Sequence, residues 1–181
     1  MNHADSHSEG SSTEPVGPIP VVLYACVHNS GRSVAAKVLT EHYATGRVEV
    51  RSAGSLPGTS VNPEVAAVLA DRGLTTDAEV PTRLTTGLVQ TADVVVTMGC
   101  GETCPIFPGK RYTDWGVEDP AGQGRAVVER IVDDIDRRVR ELLFELGIDV
   151  PGRRQNPAED RSQRLPTANA SWVPTTGTDG V

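Results

Sequence analysis

Two patterns of apolar residues alternate along this chain and predict strands and helices in turn. Apolar or alternating runs at residues 21–25, 48–54, 93–98 and 110–115 predict four strands. Helical spacing of apolar residues follows at 34–46, 62–73 and 84–92, with Asn62 as a helix cap and Pro63 in the first turn. The last helix is the clearest, because eight apolar residues between Val127 and Leu146 share one face.

This alternation predicts an α/β fold. Consecutive strands joined by helices pair in parallel, so we expect a three-layer sandwich with a central four-stranded parallel sheet and helices on both faces. Sheets of this kind bind ligands at the carboxyl ends of their strands. Cys26 follows the first predicted strand and Cys100 follows the third. Both thiols should therefore lie at the same edge of the sheet.

The two ends of the chain differ in composition from its middle. Residues 1–18 are rich in Ser, Glu, Gly and Pro, and residues 151–181 place four arginines among Pro, Thr and Gly. Neither end has enough apolar surface to offset its ordering entropy, which predicts disordered tails around one domain at residues 19–150. With 38% hydrophobic but only 4% aromatic residues, the core should consist of Val, Ala and Leu.

Charge and cysteine content narrow the function. A net charge of −7 leaves no electrostatic footprint for nucleic acid. No apolar stretch approaches the ~18 residues of a membrane span, and the first residues do not resemble a leader, so we expect a cytoplasmic protein that does not enter the membrane. Three cysteines are an odd number, which favours catalytic or redox use over a disulfide framework.

Residues 26–33 form a cysteine, five-residue, arginine motif between the first strand and the first helix. The N–H groups of such a turn and the positive end of the helix point at the loop centre, where they attract an oxyanion and stabilise a Cys26 thiolate. The Arg32 guanidinium suits two oxygens of phosphate or arsenate, and the Ser33 hydroxyl is placed to donate to the sulfur. The candidate binding residues are Val27, His28, Asn29, Ser30, Gly31, Arg32 and Ser33. The alternative is a buried structural cysteine at a strand end.

Two further features could take part in chemistry. Cys100 and Cys104 lie four residues apart in a Gly-containing segment, which favours a redox pair over inert packing cysteines. Zinc is disfavoured because His28 and His42 have no paired ligand spacing. Asp119, before Pro120, either donates a proton to a leaving oxygen or caps the last helix. The His28 side chain either tunes the thiolate or faces outward.

The chain resembles the arsenate reductases related to low-molecular-weight protein tyrosine phosphatases, and most of all their actinobacterial, thioredoxin-coupled branch. The likeness rests on residues 26–33, 51–54, 61–63, 92–105 and 119–122. By this resemblance Cys26 is the nucleophile, and Arg32 and the loop amides hold arsenate. Asn29 shapes the loop, Ser33 stabilises the thiolate and Asp119 is the acid.

The resemblance also implies the later steps of arsenate detoxification. Cys100 attacks the Cys26–arsenic adduct, arsenite leaves, and a Cys26–Cys100 disulfide forms. Cys104 resolves it, and the resulting Cys100–Cys104 disulfide is presented to a thioredoxin-like reductant. No metal or organic cofactor is implied.

Three other functions share the loop. A tyrosine phosphatase does not need Cys100 and Cys104, and by resemblance it has tyrosines where this chain has Ala121 and Gly122, although weak phosphatase activity is compatible with the loop. A reductase coupled to mycothiol and mycoredoxin does without the extra cysteines. A protein that only binds an oxyanion as a sensor needs neither a proton donor nor a relay of cysteines. Two departures stand out: Gly31 replaces a second loop cysteine, and Cys100 and Cys104 are closer together than in bacilli-type reductases.

Overall fold

The computed structural model describes residues 18–100 and 104–150. Its strands are β1 (Val21–Cys26), β2 (Glu49–Gly54), β3 (Val94–Met98) and β4 (Arg111–Asp114). Its helices are α1 (Arg32–Ala44), α2 (Pro63–Ala70), α3 (Thr86–Thr91) and α4 (Arg125–Glu145). Every predicted element is present, with ends that differ from the prediction by only a few residues. The predicted tails lie, except for Pro18, outside the described residues.

The four strands form one sheet in the order β2-β1-β3-β4, and all neighbours are parallel. The chain leaves β1 for β2 on one side and returns to β3 on the other, so the carboxyl end of β1 is the point where the strand order reverses. Cys26 ends β1 there, opposite Gly54 of β2 and Met98 of β3. The prediction that the first cysteine stands at the ligand-binding edge of a parallel sheet is confirmed.

The two faces of the sheet bury different cores. On one face Val22, Tyr24 and Cys26 of β1 pack in a large core with apolar residues of α1, α2 and α4. On the other face Leu23 and Ala25 pack in a smaller core, which includes residues of α3 together with Cys100 and Cys104. The three-layer sandwich is confirmed, and its second outer layer consists of one six-residue helix and irregular chain. Cys26 therefore lies in a different core from the two other thiols.

Local signals in the sequence set the helix ends. The Asn62 Oδ1 accepts from the N–H groups of Glu64 and Val65 at 2.9 and 3.2 Å, so Asn62 caps α2 as predicted. At the end of α1, Thr45 and Gly46 have φ angles of 47° and 83°, and this left-handed turn stops the helix. Within the described part of the chain, no helix combines the length and apolar character needed to cross a membrane.

Leu143 of α4 provides a test of the larger core. Its side chain has 0% exposure, so we expect Leu143→Ala to lower the free energy of unfolding by about 2–5 kcal/mol through the cavity it leaves. Leu56→Ala is the matched control, because Leu56 is 64% exposed and its truncation should change the free energy by less than about 0.5 kcal/mol. Urea denaturation followed by helix circular dichroism measures both. Equal losses in the two variants would contradict the packing described for α4.

Candidate active site

The loop from Cys26 to Gly31 is held open by the segment that follows β2. Four of its carbonyl groups accept backbone N–H groups of that segment at 2.8–3.1 Å: Cys26 from Ser55, Val27 from Leu56, His28 from Gly58 and Ser30 from Asn62. The carbonyl and N–H of one peptide unit point in opposite directions. The N–H groups that follow these carbonyls therefore face away from the 55–62 segment, and one of them, that of Asn29, donates to the Cys26 sulfur. N–H groups left free on one side of a loop are the arrangement that attracts an anion.

Two glycines allow the supporting segment to approach the loop so closely. A Cβ on Gly54 would lie 2.6 Å from the Val27 carbonyl oxygen, and one on Gly58 would lie 2.5 Å from the Ser30 Oγ. Both distances are shorter than non-bonded contacts allow. Neither glycine was predicted from the sequence to have a role, although the Pro and Gly content of residues 54–58 was a signal for a turn.

Asn29 fixes the loop conformation with its backbone and its side chain. Its φ of 47° is left-handed, which few residues other than glycine adopt readily. Its Nδ2 donates to the Ser33 Oγ at 2.8 Å and the Ser52 Oγ at 2.9 Å, and its Oδ1 accepts from the Thr82 N–H at 2.7 Å. Asn29 is fully buried, and these bonds link the loop to α1, to β2 and to the chain before α3. Ser52 and Thr82 were missed from sequence because their contacts are made across the fold.

The Cys26 sulfur lies at the centre of these donors. It is 2% exposed, accepts the Asn29 N–H at 3.2 Å and lies 3.0 Å from the Ser33 Oγ. Because the Ser33 oxygen accepts from Asn29, its own hydrogen is left for the sulfur. The sulfur also lies near the first turn of α1, where unpaired N–H groups favour negative charge. Hydrogen-bond donors from the loop backbone and from α1 thus converge on this one sulfur.

Arg32 and Asp119 meet in the same cleft. Arg32 opens α1 and is 7% exposed; its Nη2 donates to the Asp119 Oδ2 at 2.7 Å and its Nη1 to the Val117 carbonyl at 3.4 Å. The guanidinium lies against the end of β3, since a Cβ on Gly99 would come within 3.0 Å of its Nη1. The Asp119 side chain is 45% exposed, so the carboxylate pairs with a buried cation and still reaches solvent.

The structure tests one of the two interpretations of Asp119, that it caps the last helix. Helix α4 begins at Arg125, its N-cap is Gly124, and no side chain caps it. The Asp119 Oδ1 instead accepts from the Ala121 N–H at 3.0 Å, which fixes the turn through Pro120. The capping interpretation is therefore wrong. The carboxylate lies in the lining of the cleft, and its role as a proton donor stays a prediction.

Gly31 and Pro120 are in close contact across the cleft. A Cβ on Gly31 would lie 2.6 Å from the Pro120 Cγ. A cysteine at this position, as the family resemblance suggested for other members, would displace the Pro120 ring and the adjoining Asp119. The absence of a side chain at Gly31 therefore permits the loop that contains Asp119 and Pro120 to pack this closely.

The cleft has a volume of about 210 Å³, and its lining includes Cys26, His28, Arg32, Asn62, Asp119 and Pro120. The His28 side chain is exposed at its mouth, so of the two orientations considered it takes the outward one. None of the described residues that line the cleft is Phe, Tyr or Trp. The arrangement suits a small, highly polar anion.

Cys100 and Cys104 are free thiols that lie beneath the surface. They are 4% and 9% exposed and belong to the smaller core. Burial, the neighbouring Cys104 and, to a smaller extent, Cys26 raise the pKa of Cys100 to about 11, and burial raises the pKa of Cys104. Both thiols are therefore neutral near pH 7, although the predicted relay needs them ionised and accessible.

Two other expectations concern the same pair. The question of whether Cys100 and Cys104 share a helix face depends on residues 101–103, which lie outside the described residues. Among the residues that the structure describes, no three His, Cys, Asp or Glu side chains converge as a metal site would require.

Comparison with known proteins identifies the family to which this fold belongs. Residues 21–151 match the family model "Low molecular weight phosphotyrosine protein phosphatase". The chain belongs to this family. The predicted family relationship is confirmed.

Arsenate reductases are among the similar proteins. A thioredoxin-dependent arsenate reductase of Corynebacterium glutamicum is 45% identical, with a TM-score of 0.66 over 72% of this chain and 63% of that one. This chain thus spans somewhat less than two thirds of that protein. An arsenate reductase of Archaeoglobus fulgidus is 31% identical, with a TM-score of 0.58 over 68% of this chain and 98% of that one. A Synechocystis protein named glutaredoxin arsenate reductase is 27% identical over 69% of this chain and 97% of its own length.

The contact between Gly31 and Pro120 predicts how the site responds to one added methyl group. Gly31→Ala must displace Pro120 and, with it, the carboxylate that pairs with Arg32. We expect the dissociation constant for inorganic phosphate, a tetrahedral oxyanion, to rise about tenfold or more. Calorimetric titration measures it. Gly116→Ala is the control, because a Cβ there meets no atom within 4 Å; equal phosphate affinity in the two variants would contradict the assigned packing.

Proposed function

We propose that this chain is an arsenate reductase that serves arsenic detoxification. The observation that supports this most strongly is that hydrogen-bond donors surround the Cys26 sulfur at the carboxyl edge of the sheet while two further free thiols, Cys100 just after β3 and Cys104, are buried in the smaller core. Phosphate-ester hydrolysis uses the cradle but has no step for the other two thiols. The names of the similar proteins from Corynebacterium, Archaeoglobus and Synechocystis point the same way.

In the first step the Cys26 thiolate attacks arsenic and a sulfur–arsenic bond forms. The loop N–H groups and Arg32 hold the remaining oxygens of arsenate. Asp119 gives a proton to the departing oxygen, which leaves as water. Since Arg32 donates to Asp119 at 2.7 Å, an arsenate that binds this guanidinium also comes within reach of the carboxyl group.

In the second step the Cys100 thiolate attacks the Cys26 sulfur. A sulfur–sulfur bond forms, the sulfur–arsenic bond breaks, and its electron pair stays on arsenic, which is reduced from As(V) to As(III) and leaves as arsenite. Cys104 then attacks the Cys100 sulfur and frees Cys26. Cys100 and Cys104 have then supplied the two electrons that arsenic gained, and they are joined in a disulfide.

Burial imposes a conformational change on this relay. Cys100 lies in the smaller core and Cys26 in the larger one, so Cys100 must leave its neighbours before the two sulfurs can bond. Gly99, with a φ of 77°, directly precedes Cys100 and supplies a backbone joint that is not restrained by a side chain. The neutral, covered state of Cys100 keeps it unreactive until then.

We propose a protein dithiol of the thioredoxin type as the reductant of the Cys100–Cys104 disulfide, within the cytoplasm. The name of the Corynebacterium protein supports thioredoxin, and that of the Synechocystis protein introduces glutaredoxin as a second candidate. A mycothiol and mycoredoxin system is the third and would make Cys104 dispensable. All proposed site residues lie between residues 19 and 150, so we assign the whole reaction to that segment.

A phosphatase is the second candidate function, because the family and the loop are shared with phosphatases. Arginine and N–H donors around a cysteine bind phosphate as well as arsenate. The cleft wall beside Asp119 consists of Pro120 and Ala121, however, and offers no aromatic surface to a phosphotyrosine ring. We therefore expect at most weak phosphatase activity.

Serine variants of the two buried cysteines test the relay. In a single turnover without added thiol, Cys100→Ser should release little arsenite, since no thiolate attacks the adduct. Cys104→Ser should still release about one equivalent and then stop with Cys26 and Cys100 bridged, which peptide mapping detects. Cys26→Ser is the control that should release none, because its hydroxyl is barely ionised.

Each contrary result has a specific meaning. Sustained thioredoxin-coupled turnover by Cys104→Ser would eliminate the relay. Wild-type turnover that mycothiol supports and thioredoxin does not would assign the chain to the other type of reductase. Rapid hydrolysis of an aryl phosphate without arsenite formation would favour the phosphatase.

The raised pKa of Cys100 predicts a pH dependence. A raised pKa extends the neutral, unreactive form of the Cys100 thiol to higher pH, so its thiolate population still grows above pH 9, the ordinary pKa of a thiol. Single-turnover arsenite release should therefore keep rising beyond pH 9, by up to about tenfold per pH unit. Rapid-quench measurement of arsenite follows the rate.

The control for this pH dependence is Cys100→Ser supplied with a small thiol. Its arsenite release should level off near the pKa of the added thiol, because the buried group no longer takes part. A wild-type rate that levels off at or below pH 9 would show that burial of Cys100 does not govern the step.

A further inference from the structure

Ile106 is an apolar side chain that is exposed to solvent two residues beyond Cys104. It is 81% exposed, the largest fraction for any large apolar residue in the described part of the chain. Only Pro105 separates it from Cys104, which is covered and belongs to the smaller core. The chain therefore passes from a buried residue, Cys104, to a strongly exposed one, Ile106, within two positions.

A hydroxyl group on β4 holds Ile106 outward. The Tyr112 oxygen accepts from the Phe107 N–H at 2.8 Å and donates to the Pro105 carbonyl at 3.3 Å. Phe107 packs against the smaller core on one side of Ile106, and Cys104 is buried on the other. Pro105 adds a fixed φ angle. The exposure of Ile106 is thus built into the local structure.

Single exposed apolar residues are common on protein surfaces and need no explanation by themselves. Ile106 differs through its position. Under the function proposed above, a Cys100–Cys104 disulfide must be reduced by an external dithiol, and the sulfur of that dithiol must come within bonding distance of this segment. A protein that approaches Cys104 from solvent has Ile106 within its footprint, and burial of an isoleucine contributes affinity to such a contact.

We propose that Ile106 is the apolar contact by which a protein dithiol of the thioredoxin type docks beside Cys104. This inference rests on the proposed function. One thiolate of the partner attacks a sulfur of the Cys100–Cys104 bond and forms a mixed disulfide. The second thiol of the partner displaces the chain, so that two electrons and two protons pass to Cys100 and Cys104 and the partner leaves as a disulfide.

A small dithiol reaches the same bond without docking. Dithiothreitol makes no protein interface, so its rate depends on the disulfide alone. Truncation of Ile106 should therefore slow the reduction of the disulfide by thioredoxin and leave its reduction by dithiothreitol unchanged. The step from arsenate to arsenite should not depend on Ile106.

The test compares the reduction of oxidised Ile106→Ser and wild-type chains by thioredoxin and by dithiothreitol. After peptide mapping has verified the Cys100–Cys104 disulfide, thiol alkylation and mass spectrometry follow its loss. We expect the second-order rate constant with thioredoxin to fall about five- to tenfold and the rate with dithiothreitol to stay unchanged. Ile106→Val should retain most of the thioredoxin rate.

Ile19→Ser is the matched control, because Ile19 is also exposed, at 50%, and precedes β1 at the amino edge of the sheet, far along the chain from Cys100 and Cys104. It should match the wild type with both reductants. An unchanged thioredoxin rate in Ile106→Ser, an equal loss with dithiothreitol, or the same loss in Ile19→Ser would each overturn the inference. The assay uses no arsenate, so the single-turnover arsenite experiment tests the proposed function separately; a chain that never forms the Cys100–Cys104 disulfide would overturn both.

Discussion

The left-handed backbone of Asn29 is the constraint on which the site depends. At a φ of 47° the Asn29 N–H points back at the Cys26 sulfur, and the loop carbonyls turn outward to the 55–62 segment. The side chain offsets the cost of this conformation by three hydrogen bonds inside the protein. One of these occupies the Ser33 oxygen and so directs its hydroxyl to the same sulfur. The loop, the Cys26 sulfur and the first turn of α1 thus belong to a single hydrogen-bonded unit.

The sheet also determines which of the thiols lie on the same face and which must move before they can react with one another. Successive residues of a strand point to opposite faces, and Cys26 falls on the face covered by α1, α2 and α4. Cys100 and Cys104 belong to the thinner layer on the other face, where α3 has only six residues. The cysteines that must rearrange in the proposed relay therefore lie in the layer with the shorter helix.

The sequence was sufficient for the order of elements, the parallel sheet and the position of Cys26 at its edge, because these follow from periodicity and from one local motif. It could not reveal which face each thiol occupies, since residues 21–26 are apolar throughout and have no alternation to interpret. Nor could it find Ser52 and Thr82, which meet Asn29 only through tertiary structure. Whether Asp119 caps the last helix could not be decided either, because this depends on where α4 begins, and the structure places that start at Arg125.

Net charge is a poor guide to this site for a physical reason. The chain has a charge of −7, yet it forms a cleft suited to an anion. Exposed carboxylates are screened over roughly 8 Å at physiological ionic strength, whereas buried donors act at contact distance in a medium of low polarity. Arg32, at 7% exposure, and the loop N–H groups are such donors. The attraction of these donors for an anion exceeds the screened repulsion from the acidic surface. The local charge around the Cys26 loop, and not the net charge of the chain, therefore determines whether an anion binds.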